Sequence, residues 1–507
     1  MRVAVAGGGP GGLFLAALIR KRDPSIEVTV FERNRADDTF GFGVVFSDRT
    51  LAGIVEADPV LREALDSRGR HWDAIEVRLK GERIRCGGNG MAAIVRRTLL
   101  GLLQDRARGL GADLRFSTEV ALADLDGYDL VVAADGTGSQ LRTALEPAFG
   151  STVDTATAKF IWFGTDYQFD GLTFVHERGP HGVFAVHGYP ITSTAAGADV
   201  STFIVETDEA SWRAAGLDEF DVSQPPGPSD EKTRAYLEEV FAEQIEGHKL
   251  LVNNSRWGNF RTRRTARWTT LEPRPVALLG DAAHTAHFSV GSGTKMAMED
   301  AVALAQALTT HTGDLPAALA AYEAAARPSV DAVQGSARPS LSWWEHFGRY
   351  HDAFEPWQFA YHFLSRSITD ARLARRDPGF VASTHWAWVQ RYGAEPLDTP
   401  LAAGGTTFPG RLLTEVPAGA AHVEAPADES GLPAARARVR EVIDGGAALV
   451  AVHGGAAFTR TLVCEEIRLV HGRTAVLVDG EADALTVVLS GRADAVVTAD
   501  TEVRDGP

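Results

Sequence analysis

The opening of the chain constrains its fold more than any other stretch. "RVAVAG" reads as a short apolar strand, "GGLFLAALIRKR" as a helix and "IEVTVFER" as a second strand, which together make a βαβ unit. Gly7, Gly9 and Gly12 stand as GxGxxG in the first turn, and Glu32 closes the second strand. Gly7 permits the tight turn, Gly9 admits a pyrophosphate against the backbone, and Gly12 lets helix and strand pack closely. The helix N-terminus attracts phosphate. A carboxylate at Glu32 accepts hydrogen bonds from ribose hydroxyls and repels a 2′-phosphate, so the unit reads as a site for FAD or NAD.

At 507 residues the chain exceeds what one core holds, so two or three domains are expected. A net charge of -17 argues against nucleic acid or an anionic membrane as the main partner, because phosphate contacts need excess Lys and Arg. Cys86 and Cys464 are far apart and outside any CxxC pattern, which fits a reducing cytoplasm and gives neither a disulfide framework nor a cysteine zinc site. Glycine and proline interrupt the apolar N-terminal run where a signal peptide would be continuous, and no other stretch is long enough to span a bilayer.

FAD is separated from NAD by later segments. In "YDLVVAADGTGSQLR" a buried-looking strand delivers Asp135 and Gly136 to a turn, with Ser139 and Arg142 following. "PVALLGDAAH" is a second such strand, ending at Gly280 and Asp281. Beyond it, Gly291 and Gly293 precede the amphipathic run "TKMAMEDAVALAQALTT", whose first-turn amides favour negative charge. Taken alone, residues 280–295 suit a histidine metal site, a phosphate loop or a helix start aimed at an anion. His187, His284 and His287 without a positioned carboxylate cluster argue against a metal.

The two turns resemble the DGxxSxxR and GD motifs of aromatic-ring flavoprotein hydroxylases. With "RNRADDTFGFGVVFSDRTL" and "STFIVETDEASWRAAGL", residues 1–393 resemble the salicyloyl-CoA 5-hydroxylase and 2-aminobenzoyl-CoA monooxygenase group of the para-hydroxybenzoate hydroxylase superfamily. The resemblance implies one tightly bound FAD, NADH as a transient co-substrate, molecular oxygen, and an aromatic acyl-CoA. The implied reaction is hydroxylation through a flavin hydroperoxide, for salicyloyl-CoA at carbon 5 to give gentisyl-CoA. It also implies FAD contacts at Gly7, Gly9, Gly11, Gly12, Glu32, Arg33, Val44, Phe46, Arg96, Val120, Asp135, Gly280, Asp281, Gly291, Gly293 and Thr294. His287 and Phe288 replace two prolines common in the wider superfamily, and Lys295 replaces a common asparagine, so catalytic detail does not transfer directly.

From residue 158 to 207 the pattern changes to apolar runs separated by turns, a mostly antiparallel sheet. Alternation in "HGVFAVHGY" puts Val183, Ala185, His187 and Tyr189 on one face, either a pocket wall or plain core. His187 reads as a structural imidazole or as acceptor of a substrate phenol proton, and His287 as a direct contact beside the flavin loop. Tyr189 and Phe288 are candidate substrate contacts, and His284 supports the strand-to-helix turn. Arg256, Arg261, Arg263, Arg264 and Arg267 crowd one segment. Arg263 and Arg264 are candidates for CoA phosphates; the alternative is a solvated face neutralising nearby acids. Trp343, Phe347, Tyr350 and Phe354 form a helical stripe suited to core or to a homodimer contact.

The expected architecture is α/β: a Rossmann-type FAD-binding domain (1–157 and 269–335) interleaved with a mostly antiparallel β-sheet substrate domain (158–268). A helical extension (336–393), a linker (394–412) and a small C-terminal α/β domain (413–507) follow. The last resembles a fragment of an old-yellow-enzyme barrel, and roughly one hundred residues cannot close a barrel of about 250. Two rival functions stay open: another flavin-dependent acyl-CoA oxygenase or reductase, and a non-catalytic flavoprotein scaffold or redox sensor.

Overall fold

The computed structural model describes residues 1–38, 42–47, 51–191, 199–220, 229–291 and 293–498. They divide into two compact units, one of residues 1–76 and 89–345, the other of residues 77–88 and 346 onward. The division therefore falls at 345/346, not in the glycine-rich stretch 394–412. That stretch is itself structured, with a short antiparallel pair of strands, Leu401–Ala403 and Thr406–Phe408. A single helix, Leu315–Ala353, runs through the expected break at 335/336 with Pro328 and Pro339 inside it.

In the first unit, apolar β-branched runs form a six-stranded sheet in the order Thr269–Thr270, Val276–Leu278, Leu130–Ala133, Arg2–Ala6, Glu27–Phe31, Asp113–Arg115. All but the first pairing are parallel. Ala6, Ala133 and Leu278 are neighbours in register, so three loops leave the carboxyl ends of adjacent parallel strands side by side. That is where an open α/β sheet places its ligand. The helices Pro10–Arg22 and Gly293–Thr310 cover the sheet, and residues 13–19 of the first are wholly buried.

The inserted sheet is antiparallel, in the order Leu250–Leu251, Ser151–Thr165, Val200–Thr207, Gly182–Ile191, Leu172–Gly179, with Gly258–Thr265 also pairing along residues 151–160. Strand alternation divides its side chains. Ile161, Phe163, Phe184, Val186, Phe203 and Val205 pack with Leu237, Phe241 and Ile245 in one core. Tyr189, Ile191 and Ile204 join a second cluster that includes Trp162 and Phe288, so the face predicted for His187 and Tyr189 is the one turned toward the 287–291 loop.

In the second unit, the three expected strands Leu449–His453, Thr474–Val478 and Ala495–Val497 alternate with the helices Ala457–Leu469 and Ala484–Leu489. Ala499 and Asp500, the end of the last expected strand, lie outside the described residues. Leu412–Leu413 and Ala421–Glu424 extend the sheet to five parallel strands. Among the described residues no helix is long and apolar enough to cross a membrane.

Candidate active site

The GxGxxG turn and the DG turn meet in a cleft of about 410 Å³, which Gly280, Asp281, Gly291, Gly293 and Thr294 do not line. Of the candidate cofactor residues, Gly7, Gly9, Glu32, Arg33, Arg96, Val120 and Asp135 line it, and so do Arg35, Gln104, Asn253 and Asn254, which the sequence did not single out. Gly7 has φ +117°, and a Cβ there would lie 2.1 Å from the Ala134 carbonyl oxygen. Gly9 differs: a Cβ there would meet no protein atom within 4 Å. Gly11 and Gly12 stand inside the helix contact, Gly11 against Leu279 and Ala297. Glu32 accepts from the amides of Gly8 at 2.7 Å and Asn34 at 2.8 Å, which fixes its carboxylate at the cleft wall.

The DG turn is held by its own motif. Asp135 Oδ2 accepts from the Gln140 amide at 2.9 Å, and Ser139 caps the helix Gln140–Ala144 by accepting from the Arg142 amide at 3.0 Å. Arg142, buried, donates to the Ala282 carbonyl at 2.8 Å and to Thr137 O at 3.0 Å, so it ties the DG turn to the GD loop. Asp135 Oδ1 lies out of solvent without a hydrogen-bond partner. Gly280 donates to Asp300 at 2.9 Å, and Asp300 also receives His284 Nε2 at 2.8 Å. Burial alone would lower the His284 pKa, but the Asp300 carboxylate outweighs it and the net shift is upward. His284 therefore braces the turn, as its sequence position implied. Asp281 reaches solvent, yet crowding by protein raises its carboxyl pKa against the pull of His284 and Arg96. Arg96 begins the helix Arg96–Gly109 and is depressed by desolvation, with Asp281 and Tyr189 acting against the shift.

Val44 and Phe46 require a correction. Both are buried in the Rossmann core, because alternation along the strand Gly43–Ser47 turns them inward. Val45 points the other way, and it is Val45 that approaches Gly291. Gly291 takes a left-handed conformation at the end of the 288–290 turn, and Gly293 and Thr294 open the helix Gly293–Thr310. Lys295 pairs with Glu299 at 2.6 Å on that helix.

His187 and His287 come together, and the residue that joins them was missed. Glu206, buried on the strand Val200–Thr207, lies 3.2 Å from His287 Nε2 and 3.6 Å from His187 Nε2. The other nitrogen of His287, Nδ1, is 2.7 Å from Ser289 Oγ. Both ring nitrogens of His287 thus face protein groups, which makes it a link in a chain instead of the direct substrate contact expected. Phe288 sits among Phe160, Trp162, Phe260, His187 and His287, with ring centroids 4.3–6.1 Å apart. Tyr189 is buried and donates to Gly43 O at 3.2 Å; burial pushes its pKa up to about 12, with Thr202 and Arg96 opposing. It keeps its proton at neutral pH. An acid on the apolar, pocket-side register of "STFIVET" was the available signal for Glu206.

Of the arginine cluster, Arg261, Arg263 and Arg264 lie on the strand Gly258–Thr265, with Arg256 before it and Arg267 after it. Arg263 donates to Ser151 Oγ at 3.2 Å, Arg264 pairs with Asp154 at 2.6 Å, and Arg267 donates to Ala148 O at 2.8 Å. Neither Arg263 nor Arg264 lines the described cleft. Among the described residues no group of three or more His, Cys, Asp or Glu is arranged to hold a metal ion. Trp343, Phe347, Tyr350 and Phe354 are all buried within the chain.

A dinucleotide cleft at the carboxyl ends of parallel strands, in a chain that also carries an inserted antiparallel sheet, defines a flavoprotein of the aromatic-hydroxylase class, a ring monooxygenase. The chain belongs to the FAD binding domain family, whose model matches residues 1–337, and FAD is its cofactor. It is 56% identical, over 98% of its own length and 99% of the relative's, to the salicyloyl-CoA 5-hydroxylase of a Streptomyces species. It is 36% identical, over 68% of this chain and 89% of the relative, to the 3-hydroxy-4-methyl-anthranilyl-(aryl-carrier protein) 5-monooxygenase of Streptosporangium sibiricum. A solved structure of 2-methyl-3-hydroxypyridine-5-carboxylic acid oxygenase superposes with a TM-score of 0.53 at 22% identity, over 72% of this chain and 98% of that one, and so shares the fold. The cleft fits the cofactor on its own terms: open space over Gly9 leaves the backbone accessible to a pyrophosphate, and Asp135 Oδ1 lies out of solvent at its edge.

Proposed function

We propose that this chain hydroxylates an aromatic acyl-CoA, salicyloyl-CoA at carbon 5 to give gentisyl-CoA, with NADH as electron donor and molecular oxygen as the second substrate. The observation that carries this reading is the 56% identity that extends across both compact units, where the 36% relative aligns with 68% of the chain. Bound FAD, once reduced, supplies the activation of oxygen and the transfer of one oxygen atom to the ring.

The chain's own residues supply the surroundings. Glu32 and the Gly7–Gly9 turn bind the dinucleotide, with Arg96 as the nearby cation. Phe160, Trp162, Phe260 and Phe288 exclude water from the ring's environment. His187, on the same face, is the candidate to accept the substrate phenol proton, which activates the ring position para to the oxygen. Arg264 is the candidate for the CoA phosphates, since its exposed pair with Asp154 is worth only about 0–1 kcal/mol and yields to a stronger anion; Arg263 supports it on the same strand.

An amino-substituted ring is the second reading, favoured by the anthranilyl relative. Incubating the holoenzyme with NADH and salicyloyl-CoA, 2-aminobenzoyl-CoA, salicylate and 2-aminobenzoate in parallel, with products identified by mass, tests both. Gain of one oxygen by salicyloyl-CoA alone is the expected result. Hydroxylation of the amino compound or of free acids alone overturns the substrate assignment. Absence of substrate-stimulated NADH oxidation with all four overturns the enzymatic reading in favour of a scaffold or redox sensor.

A further inference from the structure

Five polar side chains from four segments meet beside Phe288, all of them buried except the half-buried Ser289. Glu206, His287 and Ser340 are each at most 2% exposed. Glu206 Oε1 is 3.2 Å from His287 Nε2, His287 Nδ1 is 2.7 Å from Ser289 Oγ, and Ser289 Oγ is 2.8 Å from Ser340 Oγ on the helix Leu315–Ala353. His187 reaches the same Glu206 oxygen from the other side, at 3.6 Å. The row runs from His187 to Ser340 with its one long step, 3.6 Å, between His187 and Glu206, and every member can give or take a proton.

The tautomer follows from the backbone. The Ser289 amide donates to His287 Nδ1 at 3.4 Å, so Nδ1 is an acceptor and the neutral ring carries its proton on Nε2, facing Glu206. Ser289 Oγ then donates to Nδ1, which leaves Ser340 to donate to Ser289. The two serine bonds run inward to His287, whose Nε2 proton faces the Glu206 carboxylate at 3.2 Å in an ion-pair contact. Turning the two hydroxyls and exchanging the imidazole tautomer reverses the direction.

The geometry points to Glu206 as the positioning residue of a proton relay that serves the substrate's phenol, an inference that rests on the proposed function above. The phenol O–H bond breaks, an N–H bond forms on His187, and the electron pair stays on the phenol oxygen. Glu206 compensates the imidazolium and aligns both rings; with the two hydroxyls turned and the imidazole tautomer exchanged, the proton passes by way of Glu206, His287, Ser289 and Ser340 to water as its final acceptor. The ionisable groups that face Glu206 include His187, from the strand Gly182–Ile191, and His287, from the loop after the GD turn. The strand Ser151–Thr165 meets it with Phe160, its register partner, and the helix Leu315–Ala353 places Trp344 against His187 at 4.3 Å. In such apolar surroundings an imidazolium without its carboxylate is strongly disfavoured.

The test uses oxidised, FAD-loaded enzyme with salicyloyl-CoA and no NADH, so that nothing turns over, and titrates the bound phenol by its phenolate absorbance. Glu206→Gln is expected to retain the ligand and raise the apparent phenol pKa by about one unit or more, with Glu206→Asp restoring part of the shift. Ser289→Ala and Ser340→Ala are expected to slow proton release to a pH indicator about tenfold on mixing with the ligand. An unchanged phenol pKa in Glu206→Gln overturns the relay; if that variant loses FAD, unchanged release in both serine variants overturns it equally. Failure of the underlying reading looks different. Unaltered enzyme then does not bind salicyloyl-CoA, and the relay falls with its substrate.

Discussion

Glu206 and Glu465 are carboxylates buried against imidazoles, one in each unit, and their neighbours differ in kind. Glu465 accepts from the Tyr350 hydroxyl, lies 3.2 Å from His362 Nε2 and 3.8 Å from Arg492 Nε. Burial opposes its charge, but His362, Arg492 and Tyr350 together bring its pKa down to about 2. His362 is brought down to about 4 by burial and then by Arg492. With Glu465 ionised and His362 neutral across the physiological range, this cluster is fixed in charge. Glu206 instead faces two imidazoles. A guanidinium does not give up its proton in a protein, whereas an imidazole can both give and take one, so one cluster is built to hold charge still and the other to let it move.

The largest expected effect breaks or keeps that contrast directly. Glu465→Ala strands Arg492 in the interior and is expected to cost about 3–5 kcal/mol in denaturant unfolding. Glu206→Gln, nearly isosteric, is expected to leave stability within about 1 kcal/mol while abolishing most hydroxylation. Equal destabilisation by the two would remove the distinction.

A comparable contrast holds between two glycines of one turn. Gly7→Ala is sterically excluded by the Ala134 carbonyl and is expected to prevent folding, whereas Gly9→Ala meets no protein atom. Gly9→Ala is expected to keep the apo-protein's melting temperature and lose FAD affinity by about tenfold or more, roughly 1.4 kcal/mol. Flavin absorbance per protein after gel filtration reads it. Full flavin retention means the cofactor does not pass close to Gly9.

The pH dependence of stability sharpens the comparison from both sides. The folded-state pKa of His362 is depressed, so the unfolded chain binds the proton first and stability falls as pH drops from about 6.5 toward 4, by on the order of 3 kcal/mol. The pKa of His284 is raised, so its contribution is full below about 6.5 and is lost as pH rises through the folded value. Denaturant titrations across pH are expected to show His362→Gln flattening the acid limb and His284→Asn the alkaline one. A change on the opposite limb contradicts the assignment.

These clusters also mark where reading from sequence stopped. The βαβ turn, Glu32, the DG and GD loops and the inward face of "HGVFAVHGY" were legible because each rests on spacing within one strand or turn. Glu206 and His287 are eighty-one positions apart and meet where the loop after the GD turn lies against the inserted sheet, a contact that no local pattern encodes. Val44 and Phe46 were expected at the cofactor and went to the core because the parity of a five-residue strand has to be known before its faces can be assigned. The two-unit division differs from the expected linker for a related reason: glycine and proline mark turns, and here they mark a short strand pair, while the division falls within a helix that continues through two prolines.

The smallest effect concerns an exposed ion pair, the opposite extreme from the buried carboxylates. Arg264 and Asp154 are 42% and 74% exposed, so water and salt screen their attraction. Arg264→Ala is expected to change stability by less than about 0.5 kcal/mol. If Arg264 meets a CoA phosphate, the same substitution raises the KM for the acyl-CoA about threefold to tenfold while kcat holds, because the contact is made equally in ground and transition states. Asp154→Ala then lowers that KM by freeing the guanidinium, and both differences shrink as ionic strength rises. A KM that ignores both substitutions assigns the pair to the solvated surface and moves the search for the phosphate-binding cations elsewhere.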